Sequence, residues 1–277
     1  MKVVECPRDA MQGMERFVAT NQKTAYINKL LKVGFDTIDF GSFVSPKAIP
    51  QMQDTAEVLS RLNLDDCKSR LLAIIANVRG AELGCIHNAI DDLGYPLSVS
   101  ETFQQRNTKR TIEQAFIDLD QIQNLCIQNG KRLVVYLSMG FGNPYGDPYH
   151  PDLLGSFIDR LIAMEVKVIS LSDTIGIATP QLITKTFEKL GPSFPSVELG
   201  AHLHAVPTVA GLNIQAAIDA GCERVDTAIL GFGGCPMAKD DLTGNIDTSI
   251  LLRMYPQEHF DMTAYQECVE MAQNIFQ

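Results

Sequence analysis

The chain has 277 residues, 45% of them hydrophobic and 20% charged, and a formal net charge of −10. An acidic surface without a basic cluster repels a phosphate backbone, which argues against nucleic acid as a partner. No apolar run is long enough to cross a bilayer, and no Ser-, Gly- or Pro-rich tract marks a linker, so one domain over 1–277 is expected, with 249–277 as a helical C-terminal extension.

The N-terminal stretch MKVVECPRDAMQ enters a short apolar run, KVVEC (2–6), and breaks at once into Arg8 and Asp9. It has neither the apolar core of a signal peptide nor the Arg/Ser-rich pattern of a transit peptide. A helix is predicted over 21–34, where Ala25, Ile27, Leu30 and Leu31 share a face and Gly34 provides the stop. TIDFGS (37–42) carries Asp39 and Ser42, LLAIIAN (71–77) ends in Asn77, and LSVSE (97–101) ends in Glu101. The next helix, 111–130, starts at a Thr111 cap with Glu113 behind it and stops at Gly130. LVVYLSM (133–139) holds Ser138, and a helix over 153–166 leads into KVISLSD (167–173), which runs on to Asp173 and Thr174. Pro180 and Gly191 bracket a helix over 179–191. VELGAHLH (197–204) supplies His202 and His204; a helix over 209–221 and the apolar run RVDTAILG (224–231) follow. Seven cysteines, an odd and scattered set, do not resemble a disulfide framework, so a reduced, cytoplasmic protein is expected.

Near-continuous hydrophobic runs of this length are parallel strands buried on both faces. Eight of them, alternating with helices, give the count of a (β/α)8 TIM barrel, an α/β fold. A doubly wound open sheet is the rival, but no Gly-x-Gly-x-x-Gly turn follows the first strand. Active sites of such barrels lie at the C-terminal ends of the strands, and that is where this chain breaks its apolar runs with polar residues. The loop after the last strand, GFGGCPMAKDDLTGN (231–245), adds Cys235 and Asn245 behind a group of glycines that free the backbone for unusual torsion angles.

Residues two apart on a strand point the same way, so the imidazoles of His202 and His204 face one side while Leu203 packs on the other. Two convergent imidazoles form a natural pair of metal ligands, and only one strand separates theirs from the strand that ends at Asp9. With Asp9 and an oxygen from Asn245, the set is two nitrogens and two oxygens. Four such ligands on an octahedral Mg²⁺ or Mn²⁺ leave two positions for a substrate that chelates through a hydroxyl and a carbonyl or carboxylate. Arg8, beside Asp9, is then an always-charged donor for negative charge developing on a substrate oxygen.

The motifs ECPRDAMQG, FGSFVSPKAIPQMQDT, SETFQQRN, LSDTIG, AHLH and GFGGCPMAKDDLTGN together resemble the hydroxymethylglutaryl-CoA lyase family, from about Val4 to Thr248. The resemblance implies a metal-dependent barrel enzyme that cleaves 3-hydroxy-3-methylglutaryl-CoA to acetyl-CoA and acetoacetate, a step of leucine breakdown or ketone-body formation. It implies a divalent cation (Mg²⁺ or Mn²⁺) on Asp9, His202, His204 and Asn245, with Arg8 stabilising the enolate of the departing acetyl-CoA. Cys235 would take part in proton transfer to that carbanion, and Asp39 and Asp173 match the family's catalytic acids. Ser42, Asn107 and Thr174 match residues that contact the acyl group, and the partner set becomes an acyl-CoA substrate and a second copy in a homodimer, with no nucleic acid and no membrane. Related acyl-CoA lyases and synthases, 4-hydroxy-2-oxoacid aldolases of the same superfamily, and a non-catalytic acyl-CoA-binding barrel are the alternatives.

Three departures bear on the lid geometry and the preferred acyl group. Asp39 stands where the family usually has Glu, Ala205 follows the second histidine where relatives often carry Asp, and the Cys235-to-Asn245 spacing is one residue longer, with KDD at 239–241. Lys47 is a candidate for a CoA phosphate. The remaining cysteines, at 6, 67, 85, 126, 222 and 268, read as core or surface thiols.

Overall fold

The computed structural model describes residues 1–234 and 243–276. Eight parallel strands close a barrel in sequence order: β1 (Lys2–Glu5), β2 (Thr37–Ser42), β3 (Arg70–Ile74), β4 (Asp92–Ser98), β5 (Arg132–Ser138), β6 (Val168–Asp173), β7 (Glu198–Leu203) and β8 (Arg224–Thr227). The ring closes where β1 pairs β8, with Val4 opposite Asp226 and Glu5 opposite Thr227. Every residue of β2 and of β6 is buried, as expected of strands covered on both faces.

The five predicted helices are present at Thr20–Leu30, Ile112–Gln128, Pro151–Ala163, Pro180–Ser193 and Pro207–Asp219. Three of them start at side-chain caps, Thr111, His150 and Thr179. Thr111 accepts the N–H of Gln114, whose side chain reaches back to the cap, so the reciprocal partner is Gln114 rather than Glu113. Four shorter helices, Pro7–Gln12, Thr55–Ser60, Val78–Cys85 and Glu101–Thr108, follow the first four strands, where the sequence pattern marks no helix bounds. Asn77 is an exposed cap whose side chain accepts the N–H of Gly80, and Glu101 opens a helix; neither continues a strand.

The fourth strand lies earlier than predicted, at Asp92–Ser98 instead of 97–101. Gly94 and Pro96 disguise it, since both are poor strand formers. The packing requires the glycine: a Cβ there would stand 2.5 Å from Ile74 Cδ1 and 3.1 Å from Tyr136 Cε2 inside the barrel. The eighth strand is shorter than predicted and gives way to a tight turn at Ile229–Gly231, with Leu230 at φ 66°.

Inside the barrel, Leu72, Val134, Tyr136 and Val168 form a small apolar plug. Below it the filling is ionic. Asp92 takes fork contacts from Arg70 and Arg132, and Arg224, 0% exposed, lies 3.5 Å from Asp226. The larger core fills the space between sheet and helices. The C-terminal segment forms two helices, Thr248–Met254 and Met262–Phe276, and the second completes the outer ring. Its Phe276 packs edge-on against Tyr26 with centroids 6.1 Å apart and stacks on Phe232 at 5.1 Å.

Candidate active site

The C-terminal mouth is built first by the short helix Pro7–Gln12. Cys6 stands at its N-cap and Pro7, with its fixed φ, at its first position. The helix turns Arg8 and Asp9 into the mouth, both buried. Arg8 Nε donates to both oxygens of Asp39, at 3.2 and 3.0 Å, and one terminal nitrogen also reaches Asp39. The other terminal nitrogen donates to Asp9 at 2.8 Å and to Gln12 at 2.9 Å, and Gln12 donates in turn to Asp9 at 2.6 Å. Burial works against the Arg8 charge, but Asp39 and Asp9 more than restore it. Burial also works against the Asp9 carboxylate; Arg8, the two histidines and Asn245 outweigh it and draw it down to about 2. Asp39 goes the other way, pushed up to about 6 by burial and by Asp9 and Asp226 against the pull of Arg8.

β7 supplies the imidazoles as its alternation dictates, with Leu203 turned away into the core. The two Nε2 atoms lie 3.1 Å apart. His204 Nδ1 faces the carbonyl of Thr243 at 2.8 Å, a group that can only accept, so its proton sits on Nδ1 and its Nε2 carries a lone pair. His202 Nδ1 faces a carboxylate oxygen of Asp226 at 3.2 Å, which assigns its proton in the same way. Two ring nitrogens at that distance share a positive charge, either a proton on His202 Nε2 donated to His204 or a metal ion bound to both. Burial and the neighbouring His202 lower His204 to about 4, so it stays neutral and able to ligate. Burial also disfavours the His202 cation, but Asp226 and Asp9 outweigh it and raise its pKa.

Ligand atoms of Asp9, His202 and His204 all lie within 4.8 Å of one another. Asn245 joins them through an antiparallel bridge to His204, and its amide nitrogen donates to Asp9 at 2.6 Å and to the Phe232 carbonyl at 2.9 Å. Both contacts engage the nitrogen, which leaves the amide oxygen as the donor atom toward a metal. A hard carboxylate and amide oxygen with two neutral imidazoles fit a divalent cation.

The cavity above this group has two characters. Arg8, Asp9, Gln12, His202 and His204 form one side, and Val44, Ile49, Ile74, Pro96 and Phe103 form the other. Asn107, Thr108, Ser138, Ser172 and Thr174 are among the polar residues that also line it.

Of the residues singled out from sequence, the fold brings Arg8, Asp9, Asn107, Thr174, His202 and His204 to the cavity and Asn245 to Asp9. Asp39 acts from behind, through Arg8. Ser42 and Asp173 do not line the cavity. Ser42 Oγ accepts the N–H of Val44 at 3.0 Å, and the Asp173 carboxylate accepts the N–H groups of Ile177 and Ala178 at 3.1 and 2.8 Å, so both hold turns. Lys47 is exposed. Cys235 and the KDD at 239–241 lie outside the described residues.

Two residues escaped the sequence reading. Gln12 had a signal, since residues three and four apart on a helix are neighbours, as it is to Asp9 and Arg8. Asp226 had a weaker one, a charge in the middle of an apolar strand; with Cys6 and His202 it forms a second buried group of ligand-type atoms within 4.8 Å.

A closed parallel barrel whose C-terminal mouth gathers a carboxylate, two imidazoles, an amide and an arginine defines a TIM-barrel protein with a candidate metal site. The chain belongs to the HMGL-like family, whose model matches residues 4–274. It is 31% identical over 92% of its length to the mitochondrial hydroxymethylglutaryl-CoA lyase of Arabidopsis thaliana, and spans 54% of that relative. It is 31% identical to the cytoplasmic 3-hydroxy-3-methylglutaryl-CoA lyase of Rattus norvegicus over 92% of this chain and 74% of the relative. Among solved structures, an HMG-CoA lyase from Acinetobacter baumannii in complex with coenzyme A and 3-methylmalate superposes with a TM-score of 0.91 at 29% identity, covering 99% of this chain and 90% of that one. The HMG-CoA lyase from Brucella melitensis gives 0.88 at 29% identity, covering 99% and 97%.

Proposed function

We propose that this chain cleaves 3-hydroxy-3-methylglutaryl-CoA to acetyl-CoA and acetoacetate, with a divalent cation, Mg²⁺ or Mn²⁺, held by Asp9, His202, His204 and Asn245. The observation that carries the reading is the convergence of Asp9, His202 and His204 within 4.8 Å at the barrel mouth, beside Arg8. The lyase names of the relatives support it, and no observation favours the synthase, the oxoacid aldolase or the non-catalytic barrel.

The cation would supply Lewis acidity to substrate oxygens, making the tertiary hydroxyl a stronger acid. The hydroxyl loses its proton, its oxygen becomes the ketone of acetoacetate, and the C2–C3 electron pair passes to the thioester as an enolate. Arg8, locked in place by Asp39, Asp9 and Gln12, faces the cavity and would donate to that enolate oxygen, where a fixed charge costs no reorganisation. The enolate carbon then takes a proton from the Cys235 thiol, to which we assign this step, and the proton released from the hydroxyl returns through solvent to the thiolate, so that the cycle balances. Asp39 serves as the anchor of Arg8. Asp173 fixes the turn after β6 and with it Thr174, whose hydroxyl accepts the N–H of Met139 at 2.9 Å at the cavity edge. Ser42 supports the turn that carries Val44, while Asn107 and Thr174 contact the acyl group.

The apolar wall of Val44, Ile49, Ile74, Pro96 and Phe103 suits the methyl side of the acyl group. The chain is read as one catalytic domain acting on an acyl-CoA in a cytoplasmic homodimer, which sedimentation and cell fractionation test. The deciding assay is acetoacetate release from 3-hydroxy-3-methylglutaryl-CoA with added Mn²⁺ or Mg²⁺ and again with excess chelator. Chelator-sensitive release supports the reading; none from folded, metal-loaded protein rejects it.

A further inference from the structure

Glu5, the last residue of β1, is 0% exposed, and its two carboxyl oxygens reach both flanks of the glycine-rich segment. Oε1 accepts the N–H of Ile229 at 2.8 Å, before the segment, and Oε2 lies 2.7 Å from the Thr248 hydroxyl, after it. The same two flanks are joined by the Ala228 N–H to the Ile246 carbonyl at 3.0 Å and the Thr248 N–H to the Ala228 carbonyl at 3.3 Å. These flanks carry Asn245 to Asp9.

The Thr248 hydroxyl donates to Oε2, and the Thr227 hydroxyl lies behind it, 3.0 Å from Thr248 and 3.3 Å from the Val4 carbonyl. Among the described residues, the titratable groups facing Glu5 are Tyr26 from the helix Thr20–Leu30, Tyr265 and Cys268 from the helix Met262–Phe276, and Asp247, and none of these is a cation. Lys29, which pairs with Glu267, acts on Cys268, and Arg253 acts on Tyr265. A buried carboxyl without a counter-charge neutralises, and burial, aided by Asp247, pushes Glu5 up to about 8 against its hydrogen bonds.

We propose that Glu5 is a positioning residue whose buried carboxyl clamps Ile229 to Thr248 and thereby sets Asn245 against Asp9. The clamp rests on the functional reading only in counting Asn245 as part of the cation site.

Amide hydrogen exchange over 228–234 and 243–248, with intrinsic rates divided out, tests it in wild type, Glu5→Gln and Glu5→Val. Gln can donate to Thr248 and accept from Ile229, so Glu5→Gln should keep wild-type protection at pH 6.5 and hold it at pH 9. Wild type should lose at least tenfold between those values, and Glu5→Val at least tenfold at both. By electron paramagnetic resonance with Mn²⁺ alone at pH 6.5, Glu5→Val should bind at least tenfold more weakly and Glu5→Gln within threefold of wild type. Unchanged protection in Glu5→Val, or lost protection in Glu5→Gln, overturns the clamp. Should Glu5→Val fail to fold, an equal alkaline loss in wild type and Glu5→Gln overturns it. A wild type that neither binds Mn²⁺ nor releases acetoacetate would reject the functional reading, and the exchange data would still judge the clamp.

Discussion

Asp226→Asn tests how the cation site is held from behind. In the structure an Asp226 oxygen accepts the Nδ1 proton of His202 at 3.2 Å, which leaves Nε2 free to ligate, and the other oxygen lies 3.5 Å from Arg224 Nε. Asparagine offers either a neutral carbonyl acceptor or an amide donor. Exchanging a hydrogen bond to a charged group for a neutral one loses about 1–1.5 kcal/mol, or roughly tenfold in Kd. If the amide donates instead, the proton moves to Nε2 and a ligand is lost outright. Arg224, buried and without a side-chain hydrogen bond among the described residues, would lose its nearest anion, and its charge would then oppose the cation more strongly. Together these place the expected loss of Mn²⁺ affinity at about 10- to 100-fold, the range usual for groups that orient metal-bound histidines. Titration with Mn²⁺, reading the free ion by electron paramagnetic resonance, measures it, and thermal unfolding of metal-free protein controls for folding. A Kd within threefold of wild type would show that Asp226 does not orient His202.

Arg8→Lys keeps the charge but cannot reproduce the fork to Asp39, Asp9 and Gln12; we expect kcat to fall by about 10²–10³ with Mn²⁺ affinity little changed, and a fall below tenfold would remove Arg8 from enolate stabilisation. Gly233 sits at φ 110°, and a Cβ there would overlap the Asn245 amide and stand 2.9 Å from the Asp9 carbonyl, so Gly233→Ala should weaken Mn²⁺ binding by at least tenfold while barely moving the urea midpoint; unchanged Mn²⁺ binding would refute the placement. At the other end of the barrel, burial disfavours the Asp92 carboxylate, but hydrogen bonds from Arg70 and Arg132 outweigh it and lower its pKa. Its contribution is therefore present above the ordinary carboxylate range and lost as pH falls below about 4. Asp92→Asn should cost about 1–3 kcal/mol at pH 7, reduced from the fully buried case because the arginines are partly exposed, and should flatten the acid limb of urea-unfolding stability; an unchanged acid limb would show that the pair is not what acid disrupts.

The barrel was legible because a parallel strand covered on both faces must be apolar almost throughout, and eight such runs recur in phase with helical stretches. Where the signal was diluted, as at Gly94 and Pro96 in β4, the boundary was misplaced, since only the packing of Ile74 and Tyr136 explains why a glycine belongs there. The convergence of His202 with His204 follows from the two-residue period of a strand, and the adjacency of Arg8 to Asp9 is simply covalent. What the amino-acid order could not state is what each polar group does once barrel closure supplies its neighbours. Ser42 and Asp173 look like site residues beside their motifs, yet nearby backbone N–H groups engage them. Asp226 reads as an intruder in an apolar strand until His202 is seen against it. Asn245 reaches Asp9 across 236 positions, and Glu5 reaches Thr248 across 243. Local periodicity is written in the chain because it depends on neighbours a few residues away; partnership across the ring is not, because it exists only after β8 has paired with β1.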